Sequence, residues 1–344
     1  MRAAVLHGAK DLRVENVAEQ EPGPDEVSVR FRSGGICGSD LSYYFKGRVG
    51  DFHVCEPLIL GHEVAGEVIG TGPLVEHVKP GDHVTINPSR PCRTCDYCRA
   101  GRSNLCRNMR FFGSAALRPH VQGAFREVVI ARADQCHPIP EHLSWAEAAC
   151  AEPLSVALHG VARAGNLFGR TVIIAGAGPI GSLIAVVAKR AGAHVTITDI
   201  VDPPLETALK LGVDEVINVA AAPEKLAACE ANKGHFDVAL EATGVPSALA
   251  QLFRVVRPGG RVVQLGMMPP GEIPLPANML MAQEIDYVGA FRFHEEFGHA
   301  VRLLSDRLID IRPILSAEVP MSEADEAFRL AADRTRALKV TLVF

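Results

Sequence analysis

Four of the nine cysteines in this 344-residue chain, Cys92, Cys95, Cys98 and Cys106, fall in one arginine-rich stretch, PCRTCDYCRAGRSNLC, spaced C-x2-C-x2-C-x7-C. Two-residue gaps let successive thiolates turn inward onto one tetrahedral centre. Four sulfurs close the coordination sphere of Zn(II) and leave no position for water or substrate, so the expected role of this lobe is structural. A redox C-x-x-C pair and four unrelated core thiols are the weaker alternatives. Arg90, Arg93, Arg99, Arg102, Arg107 and Arg110 surround the cluster. They read as a solvated face that offsets a doubly negative Zn(Cys)4 centre, with a nucleic-acid-binding zinc ribbon as the rival.

A second set is dispersed. Cys37 in GGICGSDLSYY offers a thiolate, His62 and Glu63 in GHE an imidazole and a carboxylate, and Glu152 in CAEPLSVALHG another carboxylate. Three protein ligands beside one open position is the pattern of catalytic zinc. Taken singly, each residue also fits a plainer part: a core thiol, a hydrogen-bonded histidine, a surface acid. Cys55, Cys136, Cys150 and Cys229 have no partner at ligand spacing and read as buried thiols.

A third motif, GAGPIG, sets Gly176, Gly178 and Gly181 in G-x-G-x-x-G register, with Pro179 and Ile180 between the last two. Those glycines allow a tight turn, close approach of a pyrophosphate and close helix packing. Asp199 ends the next apolar run. A carboxylate there accepts from the adenosine ribose hydroxyls and repels a 2'-phosphate, which favours NAD over NADP. The following residues, IVDPP, bring no Arg or Lys to receive that phosphate.

The elements that must position these groups follow from pattern. The chain exceeds what one core supports, so two domains are expected. From about residue 153, short apolar runs (TVIIAG, HVTITD, EVINV, FDVALEA, RVVQLG, IDYVGAF) alternate with amphipathic stretches, the pattern of a doubly wound parallel sheet. The apolar stretch at 171–188 is broken by its Gly-Pro turn and reads as strand, turn and helix, not a membrane span. Ser322 is a candidate cap for the helix after it. A net charge of -5 argues against nucleic-acid binding. The N-terminus has no apolar signal core, and the expected location is the cytoplasm, where clustered cysteines bind metal more often than they pair.

GHEVAGEVIGTGPLV fits G-H-E-x2-G-x5-G-x2-V. With the cysteine lobe and the later glycine motif, in that order, the whole chain resembles the zinc-containing medium-chain alcohol and polyol dehydrogenases. The resemblance implies a discontinuous, β-rich GroES-like catalytic domain over 1–152 and 291–344, with the metal lobe at about 88–110, and a Rossmann NAD-binding domain over 153–290. It implies two zinc ions: a catalytic one held by Cys37, His62 and Glu152, with Glu63 an inner or outer ligand, and a structural one in the cysteine lobe. It further implies that Leu265, Gly266, Met267, Ala290, Phe291 and Arg292 line the nicotinamide, that the substrate is a small sugar acid or polyol, and that the assembly is a homodimer or homotetramer. Ser42 stands where polyol dehydrogenases carry a histidine in GSDxHYY, so proton exit is assigned to Ser39. Arg292 is the first candidate to grip a substrate carboxylate, with Arg110 and Lys46 in reserve, and Tyr43 and Phe111 wall the pocket. A polyol or threonine dehydrogenase is the nearest rival, and a catalytically silent zinc-binding protein the rival of another class.

Overall fold

The computed structural model describes all residues 1–344. Two sheets organise it. The first has seven strands, ordered Cys136–Pro138, His83–Ile86, Glu63–Thr71, Glu26–Gly35, Lys339–Val343, Leu315–Pro320, with Val128–Arg132 also paired to Glu26–Gly35. Val27, Val29 and Phe31 alternate inward along Glu26–Gly35 and meet Val64, Val84, Phe125 and Leu342 in one core. The C-terminal strand Lys339–Val343 pairs antiparallel with the end of Glu26–Gly35, Thr341 opposite Gly35. The tail of the chain is thereby brought beneath Cys37.

The second sheet is parallel, ordered Glu215–Asn218, His194–Asp199, Thr171–Ala175, Phe236–Glu241, Val256–Gln264, Asp286–Gly289. This is the doubly wound order, in which the crevice opens at the carboxyl ends of the strands where the winding reverses. Val172, Ile173, Ile174, Val195, Ile197, Val262 and Val263 are fully buried, as strands covered on both faces require. Helices Pro179–Arg190, Asp202–Lys210 and Pro246–Val255 all carry proline in their first turn, where no amide hydrogen bond is lost. Helix Ala151–Ala164 begins beside the first sheet and packs on Pro179–Arg190 and Glu296–Ser305, its Leu154, Ala157 and Val161 inside the larger core. Glu152 is thus planted on a rigid, buried element. No helix is long and apolar enough to cross a membrane.

Two expectations are corrected. Ser322 does not cap helix Ala324–Ala332: a 3-10 turn, Met321–Glu323, runs straight into the helix, and no side chain caps it. Asp325 and Glu326 in the first turn meet the helix dipole instead. Of the four unassigned thiols only Cys136 and Cys150 are buried; Cys229 is half-buried and Cys55 exposed. Cys55 lies in a loop, with Arg118 Nη2 2.8 Å from its sulfur.

Candidate active site

Cys37 Sγ, a His62 ring nitrogen and a Glu63 carboxylate oxygen lie within 4.8 Å of one another. Strand register brings them together. Cys37 follows Glu26–Gly35 and opens helix Gly38–Lys46, while Glu63 begins the neighbouring strand with Gly35 opposite it. Any side chain at position 35 would collide with Glu63, since a Cβ there falls 2.0 Å from Oε2.

One residue the sequence reading passed over stitches the two segments. Asp40 is fully buried and accepts from the amides of Cys37 (3.0 Å) and Gly61 (3.1 Å), and its Oδ1 sits 3.6 Å from His62 Nδ1. Burial pushes its pKa up, and His62 and the two amides pull it down. A second unforeseen residue is Lys339, whose buried ammonium pairs with Glu63 and donates to the Ile36 carbonyl at 3.1 Å. Burial alone would lower the Lys339 pKa, but Glu63, Cys150 and Cys37 hold it above its ordinary value.

The electrostatics of the cluster call for more positive charge than Lys339 supplies. Burial, reinforced by Glu63 and Asp40, pushes the Cys37 thiol up to about 12. Burial raises the Glu152 carboxyl to about 8, with Glu63 and Cys37 adding to the shift and His62 opposing it. Glu63 Oε1 is buried with no hydrogen-bond partner. A thiol, an imidazole and an unpartnered carboxylate oxygen form a donor set that fits Zn(II), whose charge would reverse these shifts. Glu152 stands outside the 4.8 Å set, within electrostatic reach of it. Ser39, half-buried in the first helical turn, donates its amide to the Cys37 sulfur.

The dinucleotide motif lies on the same cavity. One cleft of about 590 Å³ is lined both by Cys37 and Glu63 and by Gly176, Gly178, Pro179, Ile180 and Asp199. Gly176 turns the chain at φ 97°, open to glycine and strained for other residues. A Cβ at 181 would lie 1.8 Å from the Gly176 carbonyl, whereas one at 178 would meet nothing within 4 Å. The space above Gly178 at the N-terminus of Pro179–Arg190 therefore fits a pyrophosphate. Leu265, Gly266, Met267, Ala290, Phe291 and Arg292 follow the ends of the two adjacent strands and do not form the wall of this cleft.

Arg292 instead packs in an aromatic cluster beside His62. Its guanidinium carbon is 4.5 Å from the Phe111 ring centre and 5.0 Å from that of Phe291, and Phe111 packs on His62 at 5.3 Å. Burial lowers the Arg292 pKa, and Glu152 and Tyr43 oppose that shift. The Tyr43 hydroxyl accepts from the Ala115 amide at 3.0 Å.

The four lobe cysteines also have their sulfurs within 4.8 Å of one another. Amides of Cys92, Cys95 and Asn108 donate to cysteine sulfurs at 3.2–3.4 Å, as thiolates require. Hydrogen bonds from Thr94 and the Cys95 amide draw Cys92 down to about 5, while burial and its sulfur neighbours drive Cys98 up to about 12. Four thiols this close cannot all ionise without a cation, and the set fits Zn(II). Of the surrounding arginines, Arg90, Arg93 and Arg107 pair with Glu26, Asp134 and Asp96. Asn104 ties the lobe to the segment that carries Arg292, donating to the Phe291 carbonyl at 3.0 Å. A third cluster, His159, His294 and Glu296, is a hydrogen-bonded pair with a neighbour: His159 Nδ1 lies 2.8 Å from Glu296 Oε1.

Residues 23–141 match the alcohol dehydrogenase GroES-like domain and residues 179–306 the zinc-binding dehydrogenase family. The chain belongs to the zinc-containing medium-chain alcohol dehydrogenases, and is an oxidoreductase of the branch that handles polyols and sugar acids. It is 42% identical over 317 residues to L-idonate 5-dehydrogenase (NAD(P)(+)) of Escherichia coli K12, covering 92% of this chain and 91% of that one. The crystal structure of the E. coli K-12 L-idonate 5-dehydrogenase superposes with a TM-score of 0.94 at 39% identity, covering 100% and 98% of the two chains. Sorbitol dehydrogenase of Bacillus subtilis is 35% identical over 99% of this chain and 96% of its own. A zinc-binding dehydrogenase of Sinorhizobium meliloti bound to NADP has a TM-score of 0.90 at 31% identity, covering 100% and 99%.

Proposed function

We propose that this chain oxidises the secondary alcohol of a sugar acid with NAD(P) as hydride acceptor, L-idonate to 5-ketogluconate being the specific reaction. The observation that carries the reading is the shared cavity: Cys37 and Glu63 line the same cleft as the glycine motif and Asp199, so an alcohol and a nicotinamide can meet in it. The sugar-acid choice is supported by Arg292, a guanidinium stacked on Phe111 beside Tyr43 and Glu152, and by similarity to the E. coli enzyme.

Cys37, His62 and Glu63, with Glu152 in reach, would hold a zinc ion that would supply Lewis acidity toward the alcohol, and a bound NAD(P) would supply the hydride acceptor. The protein's own groups do the rest. Asp40 holds the Cys37 and His62 segments in register, and Lys339 offsets the charge of Glu63. Ser39 passes the alcohol proton outward. Arg292 grips the substrate carboxylate through its two-pronged fork, while Phe111 and Tyr43 exclude water. Gly176, Gly178 and Gly181 admit the pyrophosphate and Asp199 accepts from the adenosine ribose. Cys92, Cys95, Cys98 and Cys106 would hold a second, structural zinc.

A substrate panel scored by NADH formation tests the assignment. L-idonate is expected to give the highest kcat/KM among L-idonate, sorbitol, xylitol and L-threonine. Turnover of sorbitol with indifference to L-idonate would refute it.

A further inference from the structure

Asp199 ends its strand with its side chain 3% exposed, and its oxygens are nearly saturated by the protein itself. Oδ2 accepts from the Ala177 amide at 2.8 Å, and Oδ1 from the Ile200 amide at 2.7 Å and the Val201 amide at 3.3 Å. What remains is taken by Arg334, whose Nη1 lies 2.9 Å from Oδ2 and 3.2 Å from Oδ1. Arg334 is 135 residues away in sequence, between helix Ala324–Ala332 and strand Lys339–Val343 of the first sheet. It reaches across the cleft onto the carboxylate at which the ribose should bind.

A carboxylate offers about four lone-pair positions. With amides on both oxygens, ribose hydroxyls can donate to Asp199 only where Arg334 now sits. Arg334 is free to yield: its side chain is 41% exposed, and Asp199 is its only ion-pair partner. Lys339 is the only other cation lining the cleft, and it is committed to Glu63. A 2'-phosphate placed beside Asp199 would be repelled by the carboxylate and met by one available group, the Arg334 guanidinium, which matches phosphate geometry with two parallel N–H donors.

We propose that Arg334 sets the coenzyme tolerance of the site: it releases Asp199 to the ribose hydroxyls of NAD, and turns onto the 2'-phosphate of NADP. The inference rests on the ribose role given above to Asp199. The residue that would admit the phosphate comes from the opposite body, and not from the stretch following Asp199, which contains no Arg or Lys.

The test is equilibrium binding without substrate, by titrating the zinc-loaded protein with NADH and NADPH and following nicotinamide fluorescence. The native protein is expected to bind both. Arg334→Ala should weaken NADPH by about tenfold or more while NADH moves less than about threefold, and Arg334→Lys should restore part of the loss. A loss shared equally by both coenzymes, an NADPH affinity unmoved by Arg334→Ala, or no NADPH binding by the native protein would each overturn the proposal. The underlying reading has its own arm: Asp199→Ala should narrow the gap between NADH and NADPH, and an unmoved gap would overturn the Asp199 assignment whatever Arg334→Ala shows.

Discussion

The molecule holds two cysteine-bearing clusters built on opposite plans. The lobe of Cys92, Cys95, Cys98 and Cys106 draws four like donors from 15 consecutive positions, near the surface, in a segment with little regular structure. The cluster of Cys37, His62 and Glu63 draws three unlike donors from beside two strand ends, with His62 and Glu63 buried, Cys37 half-buried, and Cys37 and Glu63 lining the large cleft. The first set satisfies a tetrahedral ion by itself. The second does so only with a further group, whether Glu152, water or an alcohol. Local closure gives stability, and dispersed, incomplete closure gives chemistry.

Four changes would break or sharpen that contrast. Cys37→Ser should have the largest effect on turnover, lowering kcat/KM by about a thousandfold or more while circular dichroism and the thermal midpoint stay near native. A variant that kept full activity would end the distinction. Cys98→Ser should do the reverse, costing about 3 kcal/mol and lowering the thermal midpoint by roughly 4 °C, with activity surviving in the folded fraction. Asn104→Ala probes the one hydrogen bond from the lobe to Phe291, beside Arg292. Loss of a bond worth about 1 kcal/mol should raise KM for the sugar acid roughly threefold to tenfold, with kcat and midpoint almost unchanged. An unchanged KM would mean that the two regions are energetically independent.

The smallest effect is expected outside both clusters. Burial raises the Glu296 carboxyl, yet the His159 hydrogen bond and the His294 amide hold it down to about 2, against an ordinary 4.5. A depressed carboxylate stabilises the fold above its unfolded pKa, and that contribution is lost as pH falls from about 4.5 toward 2. Glu296→Gln should therefore give a shallower loss of stability across that window in acid-unfolding curves, with no change in zinc content.

Much of this was legible in the amino-acid order because it is local. The lobe is encoded by spacing alone, and the parallel sheet by apolar runs such as TVIIAG and HVTITD bounded by turn residues. The glycine motif is readable because its three residues act within one turn. What stayed hidden is long-range. Lys339 looks like a surface cation until strand pairing buries it under Ile36, 303 residues away. Arg334 meets Asp199 only because the tail returns to the first sheet. Asp40 had a local signal, an acid three residues after Cys37 at the start of a helix, but its hold on Gly61 depends on the neighbouring strand. Ser322 misled because a preceding 3-10 turn removed the need for a cap.

The two clusters differ most sharply if one zinc reacts and the other only holds. Zinc per chain, measured by inductively coupled plasma mass spectrometry during graded chelation and set against L-idonate turnover, tests that division most directly. Two zinc ions per chain are expected, with turnover lost in step with one of them while the cysteine lobe remains loaded. A chain carrying only the lobe zinc and oxidising its substrate at full rate would contradict that division.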